Sequence, residues 1–307
     1  MTVLSLFDGM SCGQLALKRA GVHVDKYYAS EIDKYAITVT QANHPGTIQL
    51  GDATRWREWD IDWASIDLLI GGSPCQGFSF AGKQLAFDDP RSKLFFVYVD
   101  ILNHIRSVNP DVKFMLENVK MKKEYLDVIS EKLGVQPVFI NSALVSAQNR
   151  QRYYWANWEF GQPEDKGIVL ADILEGGAVD RDKSYCIDAC YYKGGNPEQY
   201  FNKSRRQLVF GFRPNRGDYK KTGISEIGRI IKPTGQTDAI TTSHASKALQ
   251  AVEGKNIYYR KLTTKECERL QTVPDGYTDH VSNTQRYKML GNGWTVDVIA
   301  HIFKGLK

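Results

Sequence analysis

A thiol and a carboxylate each stand at the end of an apolar run in this sequence. Ile66-Asp67-Leu68-Leu69-Ile70 leads into GGSPCQGFS at 71–79, and Val112-Lys113-Phe114-Met115-Leu116 leads into Glu117-Asn118-Val119. Apolar runs of this length, bounded by turn-forming residues, read as strands. The small residues around Cys75 let the backbone approach a ligand, so its sulfur is expected to be accessible and not packed away as an inert core thiol. In an open parallel sheet the crevice outside the carboxyl ends of the strands is where ligands bind. Two successive strands would therefore deliver Cys75 as a nucleophile and Glu117 as an acid–base group to one substrate.

The elements needed to hold them there are present. Strands are expected at 2–6, 25–30, 47–50, 66–70, 112–116 and 137–141, alternating with helices near 13–20, 33–43, 92–108 and 121–133. This rhythm predicts an α/β fold with a doubly wound, mostly parallel, Rossmann-like sheet covered by helices on both faces. The turn after the first strand, Phe7-Asp8-Gly9-Met10-Ser11-Cys12-Gly13, is not GxGxxG, which argues against a pyrophosphate cradle and a nicotinamide-dependent oxidoreductase. Asp8, Glu31 and Asp52 follow three successive strands, a pattern that favours a nucleoside ligand carrying no phosphate. S-adenosyl-L-methionine is such a ligand.

The chain has 307 residues, 42% of them hydrophobic and 24% charged, enough for a large core or for a domain with an insertion. No apolar run approaches the length of a membrane span, and the first strand begins almost at once, which leaves no room for a signal peptide. Cysteines at 12, 75, 186, 190 and 267 are odd in number and scattered, as in a reducing compartment. With no metal-spaced histidine or cysteine cluster, no metal is expected. The expectation is a cytoplasmic protein without membrane contact, active as a monomer.

Organisation changes after Trp158. From 161 to 258 the α/β rhythm stops, and between Gly195 and Lys232 basic residues (Lys203, Arg205, Arg206, Arg213, Arg216, Lys220, Lys221, Arg229, Lys232) far outnumber the acids Glu198, Asp218 and Glu226. This excess is larger than the net charge of +5 on the whole chain, and it reads as a surface that tracks nucleic-acid phosphates and reads base edges. Thr241-Thr242-Ser243-His244 lies in the same region. Helix returns near Thr263, where Thr263 and Glu266 form a capping-box pattern with Cys267 and Leu270 turned inward. The apolar segment Val296 to Phe303 is expected to pack back on the first domain and to bring Gly291-Asn292-Gly293 beside the turn at 7–13. Three parts result: 1–160 for catalysis and cofactor, 161–258 for target recognition, and 259–307 returning to the first.

These motifs in this order resemble the cytosine-5 DNA methyltransferase family: FDGMSCG at 7–13, SEID at 30–33, GDA at 51–53, GGSPCQGFS at 71–79, ENV at 117–119, QNRQRYYW at 148–155 and GNGWTV at 291–296. The resemblance spans nearly the whole chain, and the proline-cysteine and ENV pair is its most specific part. It implies S-adenosyl-L-methionine as cofactor, with Phe7 packed on the adenine, Glu31 on the ribose and Asp52 on the adenine amino group. Asp8, Gly9, Gly13, Ile32, Ala53, Pro74 and Leu94 would complete the pocket, and Asn292 would reach the amino-acid end. It implies double-stranded DNA as partner, in a bacterial or phage-infected host.

For catalysis the resemblance implies addition of Cys75 to carbon 6 of a flipped-out cytosine, with Glu117 at ring nitrogen 3 and the exocyclic amine. Arg152 would face the cytosine carbonyl, with Arg150 in support. DNA contacts are expected from Gln76, Ser79, Lys83 and Arg91 in a closing loop, and from Arg205, Arg206, Arg213 and Arg216 in the insert. A tRNA methyltransferase would use the same Cys75 and Glu117. A binding-only regulatory relative should have lost one of them, and both are present. The sequence departs from the commonest family pattern at Ser11-Cys12 and at Trp294, both beside the expected cofactor pocket.

Overall fold

Short extended runs buried on both faces build one large sheet. In chain order the elements are β1 (Thr2–Leu6), α1 (Cys12–Ala20), β2 (Lys26–Ser30), α2 (Lys34–Asn43), β3 (Ile48–Gln49), β4 (Leu68–Gly71), α3 (Lys93–Val108), β5 (Lys113–Val119), α4 (Lys123–Leu133), β6 (Val138–Asn141), β7 (Gln148–Asn149) and β8 (Gln151–Ala156). The structure, a computed structural model, describes residues 1–73, 93–194, 200, 202–211, 220–221 and 258–306. Pro74, Cys75, Gln76, Ser79, Lys83, Arg91, Arg213, Arg216, Arg229 and the 241–244 segment lie outside the described residues.

The sheet order is β3-β2-β1-β4-β5-β8-β6. Strands β1 to β5 pair in parallel, whereas β8 runs antiparallel to both β5 and β6. The fold is thus a doubly wound, mostly parallel sheet. Period-two alternation separates its two faces. Val3, Leu68, Ile70 and Met115 point to a core shared with α1, while Leu4, Leu6, Leu69, Phe114 and Leu116 point to a second core with α3 and α4.

Strand β4 starts two residues later than the apolar run suggests. Ile66 instead closes a short 3-10 turn, donating its N–H to the Trp63 carbonyl at 3.4 Å, and the Asp67 carboxylate accepts from the Thr2 N–H at 2.7 Å. The two arginines of the QNRQRYYW segment follow β6. Arg152 lies within β8 and faces Val119 across an antiparallel ladder, while Arg150 sits one residue ahead of that strand.

Strand β9 (Ser184–Tyr185) pairs with β7, and β10 (Leu208–Gly211), β11 (Lys220–Lys221) and β12 (Tyr258–Lys261) form a separate three-stranded sheet in the order β10-β12-β11. Leu170, Ile173, Ile187 and Tyr191 pack in the same core as β1, while Tyr200, Leu208 and Phe210 form a small cluster of their own.

The C-terminal part holds α5 (Thr264–Leu270), α6 (Asn283–Asn292) and α7 (Val296–Phe303). Helix α5 opens with the reciprocal capping box of Thr263 and Glu266, and Cys267 and Leu270 are buried, as the sequence pattern suggests. Helix α7 packs against α1, so the two ends of the chain meet. Among the described residues, no helix is long and apolar enough to cross a membrane.

Candidate active site

Strand order reverses beside β1, between neighbours β2 and β4, which is where an open α/β sheet leaves its crevice. A cavity of about 540 Å³ lies there. Its wall carries Phe7, Asp8 and Gly9 after β1, Glu31 and Ile32 after β2, Asp52 and Ala53 after β3, Leu94 of α3, Glu117 of β5 and Asn292 of α6. The expected cofactor residues among those described therefore converge, with the exception of Gly13. A Cβ there would come within 2.6 Å of Ile70 Cδ1 and 2.8 Å of the Tyr27 hydroxyl. Gly13 thus lets α1 sit close on the sheet.

The turn after β1 is sharply bent. Phe7 has φ +57°, Ser11 φ +59° and Gly9 φ +61°, and only the glycine adopts such a conformation without strain. Glu31 braces this turn. Its Oε2 accepts from the Gly9 N–H at 2.8 Å, and its Oε1 accepts from the N–H groups of Ile32 and Asp33 at 2.7 Å each. A carboxylate has about four acceptor positions, so these three bonds leave capacity for a ligand hydroxyl. Asp52 Oδ1 likewise accepts from the Thr54 N–H at 2.9 Å and caps the turn that follows it.

Asp8 accepts from the hydroxyls of Ser11 and Tyr27. Burial raises its carboxyl to about 6, against the lowering effect of these donors and with some help from the nearby charge of Glu31. Cys12, also on the cavity wall, is pushed up to about 12 by burial. It is a packing thiol, not a nucleophile.

The cavity suits a nucleoside with a cationic tail. It offers carboxylates and apolar surface, with Ile32 75% exposed. That donor set fits S-adenosyl-L-methionine, which carries no phosphate for the acids to repel.

The acid end of the cavity is held by several polar contacts. Glu117 is 8% exposed, with Arg152 Nε 2.8 Å from its Oε1 and the indole N–H of Trp294 donating to its Oε2 at 3.1 Å. Next to it, Asn118 Nδ2 donates to Ser73 Oγ at 3.2 Å. Parallel pairing of Gly71 with Leu116 brings these strand ends side by side, so the segment that leads to Cys75 begins next to Glu117.

Gln148, Arg150 and Arg152 are spaced by two, the period of an extended chain. Arg150, 2% exposed, donates to the carbonyls of Ile187, Gly291 and Gly293, the last at 2.8 Å. It holds the GNG segment in place from beneath. Gln148 donates to Gln271 Oε1 at 2.9 Å, and Gln271 in turn donates to the Gly293 carbonyl at 3.1 Å. Arg150 Nη1 also lies 3.3 Å from Cys186 Sγ. Burial opposes ionisation of Cys186, but the Arg150 and Arg152 guanidiniums outweigh it and hold the thiol below its ordinary value.

Two of the expected DNA-contacting arginines are engaged within the protein. Arg205 Nη2 is 3.2 Å from Asp188 Oδ2, and Arg206 Nη1 donates to the Gly194 carbonyl at 2.9 Å. Sequence reasoning did not find the Trp294 bond to Glu117, the Asn118 bond to Ser73 or the place of Cys186. The two-residue spacing of Gln148, Arg150 and Arg152 was the available signal for the support beneath the site.

Comparison with known proteins bears on the family and the fold. The family model described as C-5 cytosine-specific DNA methylase matches residues 1–307. The Type II methyltransferase M.NlaX of Neisseria lactamica is 32% identical over 323 residues, covering 99% of this chain and 96% of that protein. The Type II methyltransferase M.HhaI of Haemophilus parahaemolyticus is 30% identical over 328 residues, covering 97% and 92%. Among solved structures, the Entamoeba histolytica methyltransferase EhMeth superposes with a TM-score of 0.69 at 17% identity, over 100% of this chain and 99% of that one. Spodoptera frugiperda DNMT2 gives 0.63 at 20% identity, over 99% of each. These two likenesses concern the fold alone.

Proposed function

Because the chain belongs to the C-5 cytosine-specific DNA methylase family, we propose that it methylates carbon 5 of a flipped-out cytosine in a specific double-stranded DNA sequence, through a covalent adduct with Cys75. The observation that carries this reading is the adjacency of Glu117 to Gly72 and Ser73, which directly follow β4, in the same cavity as Phe7, Glu31 and Asn292. A carboxylate, the approach to a thiol and a nucleoside-shaped pocket meet at one place.

S-adenosyl-L-methionine, when bound, supplies an electrophilic methyl group on a sulfonium sulfur. Phe7, Ile32 and Leu94 would enclose its adenine, Glu31 its ribose hydroxyls, Asp52 its adenine amino group, and Asn292 its amino-acid end. Cys75 as a thiolate adds to carbon 6 of cytosine, and the ring electron pair shifts to make carbon 5 nucleophilic. Glu117 accepts from the exocyclic amine and shares the proton at ring nitrogen 3, where charge develops in the adduct. Arg152, beside Glu117, faces the cytosine carbonyl, and Arg150 supports the cavity wall. After methylation, loss of the proton from carbon 5 to water lets the Cys75–carbon 6 bond break and restores the aromatic ring.

A cytosine inside a duplex is out of reach of these groups, so the base must leave the stack. The segment read as a closing loop, Gln76 through Phe95, would close on the DNA with Lys83 and Arg91 in contact with it, although its last residues, Lys93 to Phe95, belong to α3. Residues 161–258 serve in target recognition, with Arg205, Arg206, Arg213 and Arg216 on phosphates and base edges. Type II relatives support sequence-specific DNA as the substrate over tRNA.

Base-resolution methylation sequencing of DNA from cells expressing the chain tests this reading and reveals the target. Cys75→Ser should abolish turnover, and duplexes with 5-fluorocytosine at the target should trap the wild-type protein covalently. Glu117→Gln should keep cofactor binding and slow methyl transfer by about 10²–10⁴-fold. Undiminished turnover by Cys75→Ser would overturn the mechanism.

A further inference from the structure

Trp294 is the residue of the GNGWTV segment that the reaction above leaves without a role. Its indole ring lines the cavity and its Nε1–H donates to Glu117 Oε2 at 3.1 Å. Glu117 Oε1 is taken by Arg152 Nε at 2.8 Å. The carboxylate is therefore held at both oxygens, by two donors arriving from segments far apart in the chain.

The surroundings of the indole are shaped for this bond. A Cβ on Gly72 would stand 2.9 Å from Trp294 Nε1 and 3.0 Å from Glu117 Oε2, so a side chain there would intrude on the donor and the acceptor together. A Cβ on Gly13 would stand 3.7 Å from Trp294 Cζ3, in ordinary contact with the far edge of the ring. The backbone on either side is anchored too. The Gly293 carbonyl accepts from Arg150 at 2.8 Å and from Gln271 at 3.1 Å, and the Thr295 hydroxyl donates to Gln271 Oε1 at 3.0 Å. Gln271 is fully buried. The indole is thus delivered to Glu117 from a fixed backbone, as a positioned group should be.

We propose that Trp294 is a positioning residue for Glu117: its indole N–H fixes the plane of the carboxylate, so that the acid meets the cytosine ring edge already oriented. The inference rests on the methyltransferase reading above. An indole N–H only donates, so this bond supports Glu117 as an acceptor. A carboxylate oxygen holds more than one lone pair, so a bond to Trp294 leaves Oε2 able to accept from the exocyclic amine as well. Freed from Trp294, the carboxylate would turn about its last bond and spend time in orientations that do not meet the base.

The test has two arms. In the first, the protein is labelled with ¹⁵N at its six tryptophan indoles, and the Trp294 signal is identified by its absence from Trp294→Phe. Glu117→Ala should move that signal more than the other five. A signal that stays in place overturns the proposal, whatever the enzyme's activity. In the second arm, single-turnover methyl transfer is measured at saturating cofactor and DNA. Trp294→Phe keeps the ring and loses the donor, so the rate should fall about 10-fold or more. Its affinity for S-adenosylhomocysteine should stay within about threefold of wild type. A loss confined to cofactor affinity, with the saturated rate unchanged, would make Trp294 a pocket wall and overturn the proposal. Trp294→Met serves both arms should Trp294→Phe fold poorly. A wild-type protein that methylates no cytosine would refute the functional reading, and the spectral arm would still decide the contact.

Discussion

Asn118 donates from Nδ2 to Ser73 Oγ at 3.2 Å, and both residues are buried. This bond joins the residue after the acid to the residue two places before Cys75. Asn118 also accepts the Val119 N–H at 2.8 Å, so its amide is oriented by its own strand. Asn118→Ala should lower the unfolding free energy by about 1–2 kcal/mol, as expected for a lost buried hydrogen bond that leaves a partner unsatisfied. Trapping on 5-fluorocytosine duplexes should slow more than cofactor binding weakens. Urea unfolding and adduct gels measure the two effects, and an adduct rate equal to wild type would show that the bond does not hold the thiol segment.

Gly291 is packed against backbone. A Cβ there would collide with the carbonyl of Asp188 and the nitrogen of Ala189, neither of which can swing aside as a side chain can. Overpacking of this kind costs about 1–3 kcal/mol and sometimes more. Gly291→Ala should lie at the upper end of that range by denaturant unfolding. Its cofactor affinity should fall too, since Asn292 follows directly. A variant with wild-type stability would show that the 188–189 segment yields readily.

Arg150 has a different task from Arg152. Its guanidinium bonds three backbone carbonyls from two segments, and lysine cannot reproduce that fork. Arg150→Lys should cost about 2–3 kcal/mol of stability, with weakened cofactor binding. Arg152→Lys should chiefly slow methyl transfer. Identical profiles from the two variants in unfolding and single-turnover assays would contradict this division of labour.

Asp8 makes stability depend on pH. Its carboxyl is raised from 3.8 to about 6 in the folded protein, chiefly by burial, so the folded state holds the proton more tightly than the unfolded chain does. The resulting stabilisation is complete below 3.8 and is lost as pH rises through about 6. Asp8→Asn lacks this dependence. Compared with wild type, it should therefore gain relative stability as pH rises across that window, measured by thermal unfolding at fixed ionic strength. A flat difference would mean that Asp8 titrates as an exposed carboxylate.

Much of the scaffold was readable because it is local. Strands β1, β2, β4 and β5 announce themselves as apolar runs that end in glycine or acid, and α5 by its capping box. The crevice residues Phe7, Glu31, Asp52 and Glu117 were legible for the same reason: Phe7 and Glu31 directly follow β1 and β2, Asp52 comes three residues after β3, Glu117 lies near the end of β5, and parallel pairing sends those ends to one side. Boundaries shifted by a residue or two where turn hydrogen bonds compete with the strand, as at Ile66.

The sequence by itself determined which side chains stand at or near the carboxyl ends of the strands, since apolar runs and turn residues act over a few positions along the chain. Only the tertiary structure decided what surrounds Glu117. The antiparallel course of β8 sets Arg152 against it, and Trp294 reaches it from 177 positions further along the chain. Arg150, which the sequence presents as a twin of Arg152, turns to the Gly291 and Gly293 carbonyls instead. Such contacts depend on how remote segments cross, and a one-dimensional period carries no record of that crossing.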